Sequence, residues 1–192
     1  METIDGVEVL ICEDETQWEE WLAAHHGDRP AAWLKIAKKG AGATTLSIKE
    51  AGDLALCYGW IDSQRRALDD RYYLQRYSPR RPRTAWSRVN VDRVAALTAA
   101  GRMRAPGLTE VAAAQADGRW ESAYASQATA EVPPDLAAAL ESDPRASRAF
   151  EARGRTDRYA LILRLLKART PAARAAQLAK ALAELREDSP ET

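Results

Sequence analysis

The spacing of hydrophobic residues near the start of the chain alternates between that of a strand and that of a helix. Residues 7–12 are apolar and rich in β-branched side chains, which is typical of a buried strand. Residues 16–22 place their large apolar side chains three and four positions apart, as on one helix face. Thr16 and Glu19 have the spacing of a capping box at the start of that helix. Residues 32–38 then predict a second strand.

The middle of the chain predicts a capped helix followed by a hairpin. Ser47 and Glu50 form a second capping-box pair, which opens a helix that Gly59 is expected to end. Residues 60–62 and 72–77 have the composition of strands, and the polar bend between them is expected to join them as a hairpin. Together with the earlier strands, the hairpin predicts a small, mostly antiparallel sheet.

The second half of the chain predicts helices only. Residues 87–100 place apolar side chains at helical spacing, and residues 106–117 predict a further helix. After residue 133 the chain is rich in Ala, Arg and Leu and shows no strand pattern. Asp143-Pro144 and Thr170-Pro171 each pair a good N-cap with proline at the first helical position. The C-terminal part is therefore predicted to be all-helical.

We predict the α+β class, with three parts in order along the chain. Residues 1–120 form a domain in which helices pack on the small, mostly antiparallel sheet. Residues 121–132 have weak periodicity and no strong caps, and we expect a linker there. Residues 133–192 form an all-helical C-terminal module. The chemistry-bearing motif described below lies in the first of these parts.

Composition excludes several classes of protein. The 192 residues are 46% hydrophobic and 29% charged, close to globular averages, which excludes a wholly disordered chain. Basic and acidic residues balance at 28 each, which disfavours a uniformly basic nucleic-acid-binding protein. The two cysteines, Cys12 and Cys57, are not spaced as metal ligands, which favours a reduced protein with neither a disulfide scaffold nor a structural zinc site.

We expect a cytoplasmic protein with no membrane-inserted segment. The first ten residues carry three acidic and no basic side chains, which is not the pattern of a signal peptide. No apolar run approaches the length of about 18 residues that a membrane helix needs. His25 and His26 are adjacent and would face different sides of a helix, so they make a poor metal pair. We predict neither a bound metal nor a cofactor.

Arginine is concentrated in residues 62–93, which contain nine arginines, four aspartates and no lysine. The segment has a local net charge of +5, whereas the whole chain has a formal charge of zero. A guanidinium group forms bidentate bonds to carboxylates or phosphates and stacks on aromatic rings. Pro79 and Pro82 stiffen the loop at residues 78–83, which lowers the entropy lost when a ligand binds.

These features predict a pocket for an anionic or aromatic small molecule or a peptide. Asp62 precedes two arginines and is expected to pair with an arginine, to orient it, or to act as a general base. Ser87 and Asn90 lie at the start of a predicted helix, where N–H groups can face an anion, and Lys35 adds positive charge. The other predicted pocket residues are Trp60, Arg65, Arg66, Arg80, Arg83 and Trp86.

The chain resembles the YdeI/OmpD-associated family, whose members are often labelled bacteriocin-protection proteins. The stretches that carry the resemblance are residues 56–62 (LCYGWID), 75–80 (QRYSPR) and 86–90 (WSRVN). Residues 33–40 and 101–103 look like further family stretches, and residues 159–185 resemble the family's short helical domain. The resemblance implies a protective association and no particular catalytic residue. The motif positions that it singles out are Trp60, Asp62, Arg80, Trp86, Ser87 and Asn90.

We therefore expect a ligand-binding protein that protects by sequestering its ligand. One alternative is an enzyme in which Asp62 acts as general acid or base on a small anionic substrate while arginines stabilise developing negative charge. A second alternative is weak binding of nucleic acid, which the zero net charge and the acidic N-terminus disfavour. The sequence leaves the ligand and the oligomeric state open.

Overall fold

A computed structural model describes residues 2–188 of the chain, which form two compact units. The first unit comprises residues 2–86 and Asn90–Ser122, and the second comprises Ser87–Val89 and residues 123–188. A sheet and helices build the first unit and helices build the second, which confirms the predicted α+β class. The end of the predicted C-terminal module, residues 189–192, lies outside the described residues.

A five-stranded sheet forms the centre of the first unit. Its strands are β1 (Thr3–Ile4), β2 (Val7–Leu10), β3 (Ala32–Ala37), β4 (Trp60–Ala67) and β5 (Tyr72–Pro79). They lie in the order β1-β2-β3-β5-β4, and the β2–β3 pair is the one parallel pair among these strands. β4 is an edge strand, and its pairing with β5 shifts register between Asp62 and Arg65. The sheet is thus mostly antiparallel, as predicted.

Four helices accompany this sheet in the chain: α1 (Glu15–His25), α2 (Ile48–Cys57), α3 (Arg88–Ala99) and α4 (Ala105–Ala116). The predicted capping box of α2 is confirmed, because Glu50 N–H donates to Ser47 Oγ and Ser47 N–H donates to Glu50 Oε2. The box predicted for α1 at Thr16 is wrong. Asp14 has the extended backbone of an N-cap, and its carboxylate accepts the N–H of Gln17 at 3.0 Å. Thr16 therefore already lies inside the first turn.

Aromatic rings join α1 to one face of the sheet. The buried Trp18 ring lies 5.7 Å from that of Tyr77 on β5 and 6.5 Å from that of Trp60 on β4. Its indole N–H donates to the carbonyl oxygen of Ala51 in α2 at 3.1 Å. A buried aromatic side chain removes about 150–250 Å² of surface from water, so Trp18 contributes apolar packing between α1 and the sheet.

The contact between α2 and α4 requires glycine. A Cβ atom at Gly107 of α4 would lie 2.3 Å from the carbonyl oxygen of Cys57 and 2.8 Å from that of Leu56. Both separations are far below van der Waals contact with backbone atoms that cannot move aside. Gly59 follows α2 with φ of +74°, in the left-handed region that favours glycine, which confirms it as the predicted helix stop.

The second unit contains α5 (Pro134–Glu141), α6 (Pro144–Ala152), α7 (Arg155–Lys167) and α8 (Pro171–Glu187). The predicted caps of α6 and α8 are confirmed: Asp143 accepts the N–H of Ala146, and Thr170 accepts the N–H of Ala173. The helices bury one apolar cluster, which includes Leu136, Phe150, Leu161, Leu165 and Leu185. None of the helices within residues 2–188 has the length and apolarity to cross a membrane.

Arginine–carboxylate pairs tie the helices of the second unit together. Arg174 of α8 donates two hydrogen bonds to Asp135 of α5, at 2.6 and 2.9 Å, which lower the pKa of that carboxyl group. Glu184 accepts hydrogen bonds from Arg164 and Arg153, and the bond from Arg164 is the main reason why the pKa of Glu184 is lowered. Both carboxylates therefore favour the folded state in their ionised form.

The close approach of α2 and α4 predicts that a methyl group added at Gly107 destabilises the fold. We expect Gly107→Ala to lower the free energy of unfolding by about 2 kcal/mol, because the helices must separate to admit the Cβ atom. Urea denaturation followed by circular dichroism measures the change.

A matched control is Gly27→Ala, since a Cβ atom there would meet no atom within 4 Å and its φ is not positive. That variant should unfold within about 0.5 kcal/mol of wild type. Equal stability of the two variants would contradict the reading of Gly107 as a packing requirement.

The lowered pKa values in the second unit predict a loss of stability in acid. The contribution of Asp135 and Glu184 is complete above their unfolded-state pKa values of about 4, and it is lost as the pH falls through the lower folded-state values. The melting temperature of the full chain should therefore fall below about pH 4. Asp135→Asn should show a lower melting temperature at pH 7 and a smaller further decrease in acid. Glu141→Gln, an exposed carboxyl with no ion pair within residues 2–188, serves as the control.

Candidate functional site

Trp60, the first residue of the predicted pocket, lies inside the core of the first unit. It is 1% exposed, and its indole N–H donates to the carbonyl oxygen of His26 at 3.0 Å. The Trp18 and Trp21 rings meet it edge to face, with centroids 6.5 and 5.7 Å away. Its ring faces and its polar atom are therefore engaged within the protein.

Arg80 and Trp86, two further residues of the predicted pocket, contact each other below the surface. The guanidinium carbon of Arg80 lies 3.7 Å from the centroid of the Trp86 ring, a cation–π contact, and Arg80 also donates to the carbonyl oxygen of Ala85. Trp86 packs edge to face on Trp120 at 5.0 Å. Arg80 is 5% and Trp86 2% exposed, so this pair joins parts of the fold rather than presenting a charge to solvent.

Four further predicted residues lie on β4, in the loop after β5 and around the start of α3. Arg83 is exposed in the loop after β5, with a positive φ of 67°. Ser87 forms an isolated parallel bridge with Tyr124, and Asn90 is half-buried in the first turn of α3. Asp62 is exposed on β4, where it is paired with Tyr77 of β5. Its carboxylate forms no ion pair with a basic residue in the described part of the chain.

Two of the three remaining predicted residues, Lys35 and Arg66, share one face of the sheet. In the register of the sheet, Lys35 and Arg66 are both paired with Leu74, and Trp33 is paired with Arg76. Paired residues, and residues two apart on one strand, point to the same face. Cross-strand diagonal neighbours lie about 7–8 Å apart. We call this arrangement the basic sheet face: Lys35, Arg66 and Arg76 around Trp33 and Leu74.

A small apolar cluster forms the base of the basic sheet face. Val9, Trp33 and Leu74 are buried there, although α1 packs on the opposite side of the sheet, against Tyr77. Long basic side chains help to cover them: the guanidinium carbon of Arg66 lies 5.7 Å from the centroid of the Trp33 ring. Arginine and lysine commonly bury their aliphatic stems in this way while the charge stays in water.

The charges on the basic sheet face are incompletely paired. Lys35 Nζ lies 2.6 Å from Glu2, and Arg66 Nη1 lies 2.9 Å from Asp5, and both acidic side chains are more than half exposed. The guanidinium of Arg76 forms no ion pair and no hydrogen bond within residues 2–188. The face therefore combines two exchangeable surface ion pairs with one cation that no carboxylate neutralises.

Arg65 extends the basic surface on the other side of the hairpin. It donates to the side-chain oxygen of Gln75 at 3.1 Å, and its guanidinium carbon lies 4.8 Å from the centroid of the Tyr73 ring. Arg71 lies similarly over Tyr72, at 5.5 Å. Neither arginine pairs with a carboxylate in the described structure. The β4–β5 hairpin thus carries guanidinium groups on both sides of the sheet, Arg66 and Arg76 on one side and Arg65 on the other.

Three residues of the basic sheet face, Trp33, Leu74 and Arg76, were not among the predicted site residues. Trp33 lies in a predicted strand, and strand alternation places it on the same side as Lys35. Arg76 is one of the nine arginines of residues 62–93. What the sequence did not supply was the register that sets Arg76 opposite Trp33.

Burial disfavours the reactive thiolate form of both cysteines. Cys12 and Cys57 are buried, and burial raises the pKa of each thiol to about 11. Both are therefore protonated at neutral pH. The described residues also contain no group of three or more His, Cys, Asp and Glu side chains arranged to hold a metal ion. The chemistry available on the basic sheet face is electrostatic attraction and hydrogen bonding.

Comparisons with known families divide the chain into two parts. Residues 10–110, a little over half of the chain, match a family described as a domain of unknown function (DUF8412). Residues 129–188 match the family described as bacteriocin-protection, YdeI or OmpD-associated. No curated protein and no solved structure matches the chain.

The basic sheet face and the motif at residues 56–90 fall within the first match, and the helices α5–α8 fall within the second. The resemblance to the YdeI/OmpD-associated family is thereby confirmed, with its direct support in the helical module. The chain belongs to the DUF8412 family over residues 10–110, and its C-terminal module is a member of the bacteriocin-protection, YdeI or OmpD-associated family.

Proposed function

We propose that this chain is a protective ligand-binding protein that holds an anionic ligand on the basic sheet face. The observation that carries the proposal is the environment of Arg76. The residue is half-buried, its guanidinium has no carboxylate partner within residues 2–188, and Lys35 and Arg66 share its face of the sheet. A ligand with two or more acidic groups, either a small polyanion or an acidic peptide segment, matches three cations spaced along neighbouring strands.

The ligand would first bind Arg76 and would then also contact Lys35 and Arg66. The guanidinium offers two parallel N–H donors to a carboxylate or phosphate, a geometry that lysine lacks. Lys35 and Arg66 can exchange Glu2 and Asp5 for the ligand at small cost, because such exposed ion pairs contribute about 1 kcal/mol or less. The sheet holds the three side chains on neighbouring strands, so little backbone entropy is lost on binding.

The family match supports the protective part of the proposal. Residues 129–188 belong to a family whose name includes bacteriocin protection, and a protein that sequesters a harmful or regulatory anion could protect without chemical turnover. The enzyme alternative gains no support from the basic sheet face. Asp62 is paired with Tyr77, so it points to the side of the sheet opposite Arg76 and cannot serve as acid or base for a ligand held there.

Calorimetric titration of the full chain with citrate and with hexaglutamate tests this function. We expect both to bind at low ionic strength, more weakly as salt screens the charges. Arg76→Gln should weaken binding about five- to tenfold, the amount typical of a lost charged hydrogen bond at a partly exposed site.

Arg29→Gln is the control for this titration, since it removes the same charge from an exposed loop arginine that has no ion pair within residues 2–188. It should bind both probes as wild type does. The proposal fails if neither probe binds at about 10 mM, or if the two substitutions weaken binding equally.

A further inference from the structure

A cavity of about 410 Å³ opens within the helical second unit. Phe150 of α6 and Ile162 of α7, which are 6% and 5% exposed, supply its apolar lining. Val132, which is 40% exposed, adds a hydrophobic side chain at the solvent side. The volume falls in the range of about 300–1,000 Å³ that is common for small-molecule sites. The cavity is therefore large enough for a ligand with one or two rings.

Arg158 places a positive charge in the lining of this cavity, next to Phe150. Its guanidinium carbon lies 5.6 Å from the centroid of the Phe150 ring. Its Nε donates to the carbonyl oxygen of Arg153 at 2.9 Å, and its Nη2 donates to the carbonyl oxygen of Glu151. These bonds fix the position of the group without neutralising it, because a carbonyl oxygen carries only a partial charge.

Arg155, three residues before Arg158 on the same helix, is also held by backbone carbonyl oxygens. Its Nη2 lies 3.3 Å from the carbonyl oxygen of Gln127 and 3.4 Å from that of Ala128. Tyr159 donates from its hydroxyl to the carbonyl oxygen of Ala125 at 2.9 Å. The two side chains thereby anchor the segment before α5 as a wall of the cavity, so that the site is formed before a ligand arrives.

The cavity has a net positive charge. Its third arginine, Arg153, is neutralised by Glu184 and Asp188, with which it forms ion pairs. Arg155 and Arg158 form no ion pair within the described chain, and no acidic residue is among those that line the cavity. Two guanidinium groups thus line a cavity that also has apolar side chains, and backbone carbonyls are their only hydrogen-bond partners in the described structure.

We propose that this cavity binds an aromatic carboxylate or a similar planar organic anion. The ring would pack against Phe150 and Ile162, and the carboxylate would accept hydrogen bonds from Arg155 and Arg158. The positive charges disfavour a neutral or cationic ring compound, and the apolar lining disfavours a small hydrated anion such as acetate. The site is separate from the basic sheet face and does not depend on the function proposed there.

Calorimetric titration of the full chain with 2-naphthoate tests the proposal. We expect a dissociation constant on the order of 1 mM or tighter, as a ligand of this size allows. The neutral analogue 2-naphthalenemethanol and the ringless anion acetate should each bind at least about tenfold more weakly. Arg155→Gln and Arg158→Gln should each weaken the binding of 2-naphthoate about tenfold.

Two control variants locate the binding. Arg148→Gln removes an exposed arginine of the same module that forms no ion pair within residues 2–188, and Arg76→Gln removes the central cation of the basic sheet face. Both should bind 2-naphthoate as wild type does. Weakened citrate binding in Arg76→Gln with naphthoate binding intact would separate the two sites.

Several outcomes overturn the inference. They are equal binding of the naphthalene alcohol and the carboxylate, wild-type affinity in Arg155→Gln, or no binding of 2-naphthoate up to about 10 mM. Arg158 also supports the backbone of its own unit, so circular dichroism must show that its variant is folded. If Arg158→Gln does not fold, Arg155→Gln, whose side chain is exposed, decides the result.

Discussion

Packing of α1 on one face of the sheet determines what the other face becomes. Trp18 contacts Tyr77 and Trp60 with its ring and α2 with its indole N–H, so the large aromatic residues are concentrated on that side. The opposite side keeps only a small apolar cluster around Trp33. Long cationic side chains are well suited to cover such a cluster, since their stems are apolar and their ends are hydrated. Because helix α1 packs on one face only, the basic side chains on the opposite face cover its small apolar cluster.

The arginines of this chain act in three physically different ways. Arg80 is an internal partner of an indole ring, and Arg174 forms a bidentate pair with a carboxylate between two helices. Arg76 and Arg155 have no carboxylate partner in the described chain, and they are the ones on which binding is proposed. The sequence of residues 62–93 shows that the segment is rich in arginine, but it does not show which arginines are paired within the protein. Only the fold distinguishes the structural groups from the available ones.

Most features set by neighbouring residues were predictable from the sequence, although the N-cap of α1 is Asp14 and not the predicted Thr16, and features set by distant residues were not predictable. The Ser47 capping box and the caps at Asp143 and Thr170 depend on residues three apart, and all were predicted correctly. The register between β3 and β5, which are separated by α2 and β4, places Arg76 opposite Trp33. No local pattern encodes it. The cavity likewise needs α6, α7 and a segment predicted as a linker to meet in space.

The edge position of β4 has a consequence for self-association. An exposed edge strand offers unpaired backbone groups on which a strand from another molecule can be added. In β4 the register shift between Asp62 and Arg65 interrupts that row, and Arg65 and Arg66 place like charges against any identical strand. The same guanidinium groups that were predicted to attract a ligand therefore also hinder intermolecular sheet extension, so neutralising them would be expected to promote aggregation.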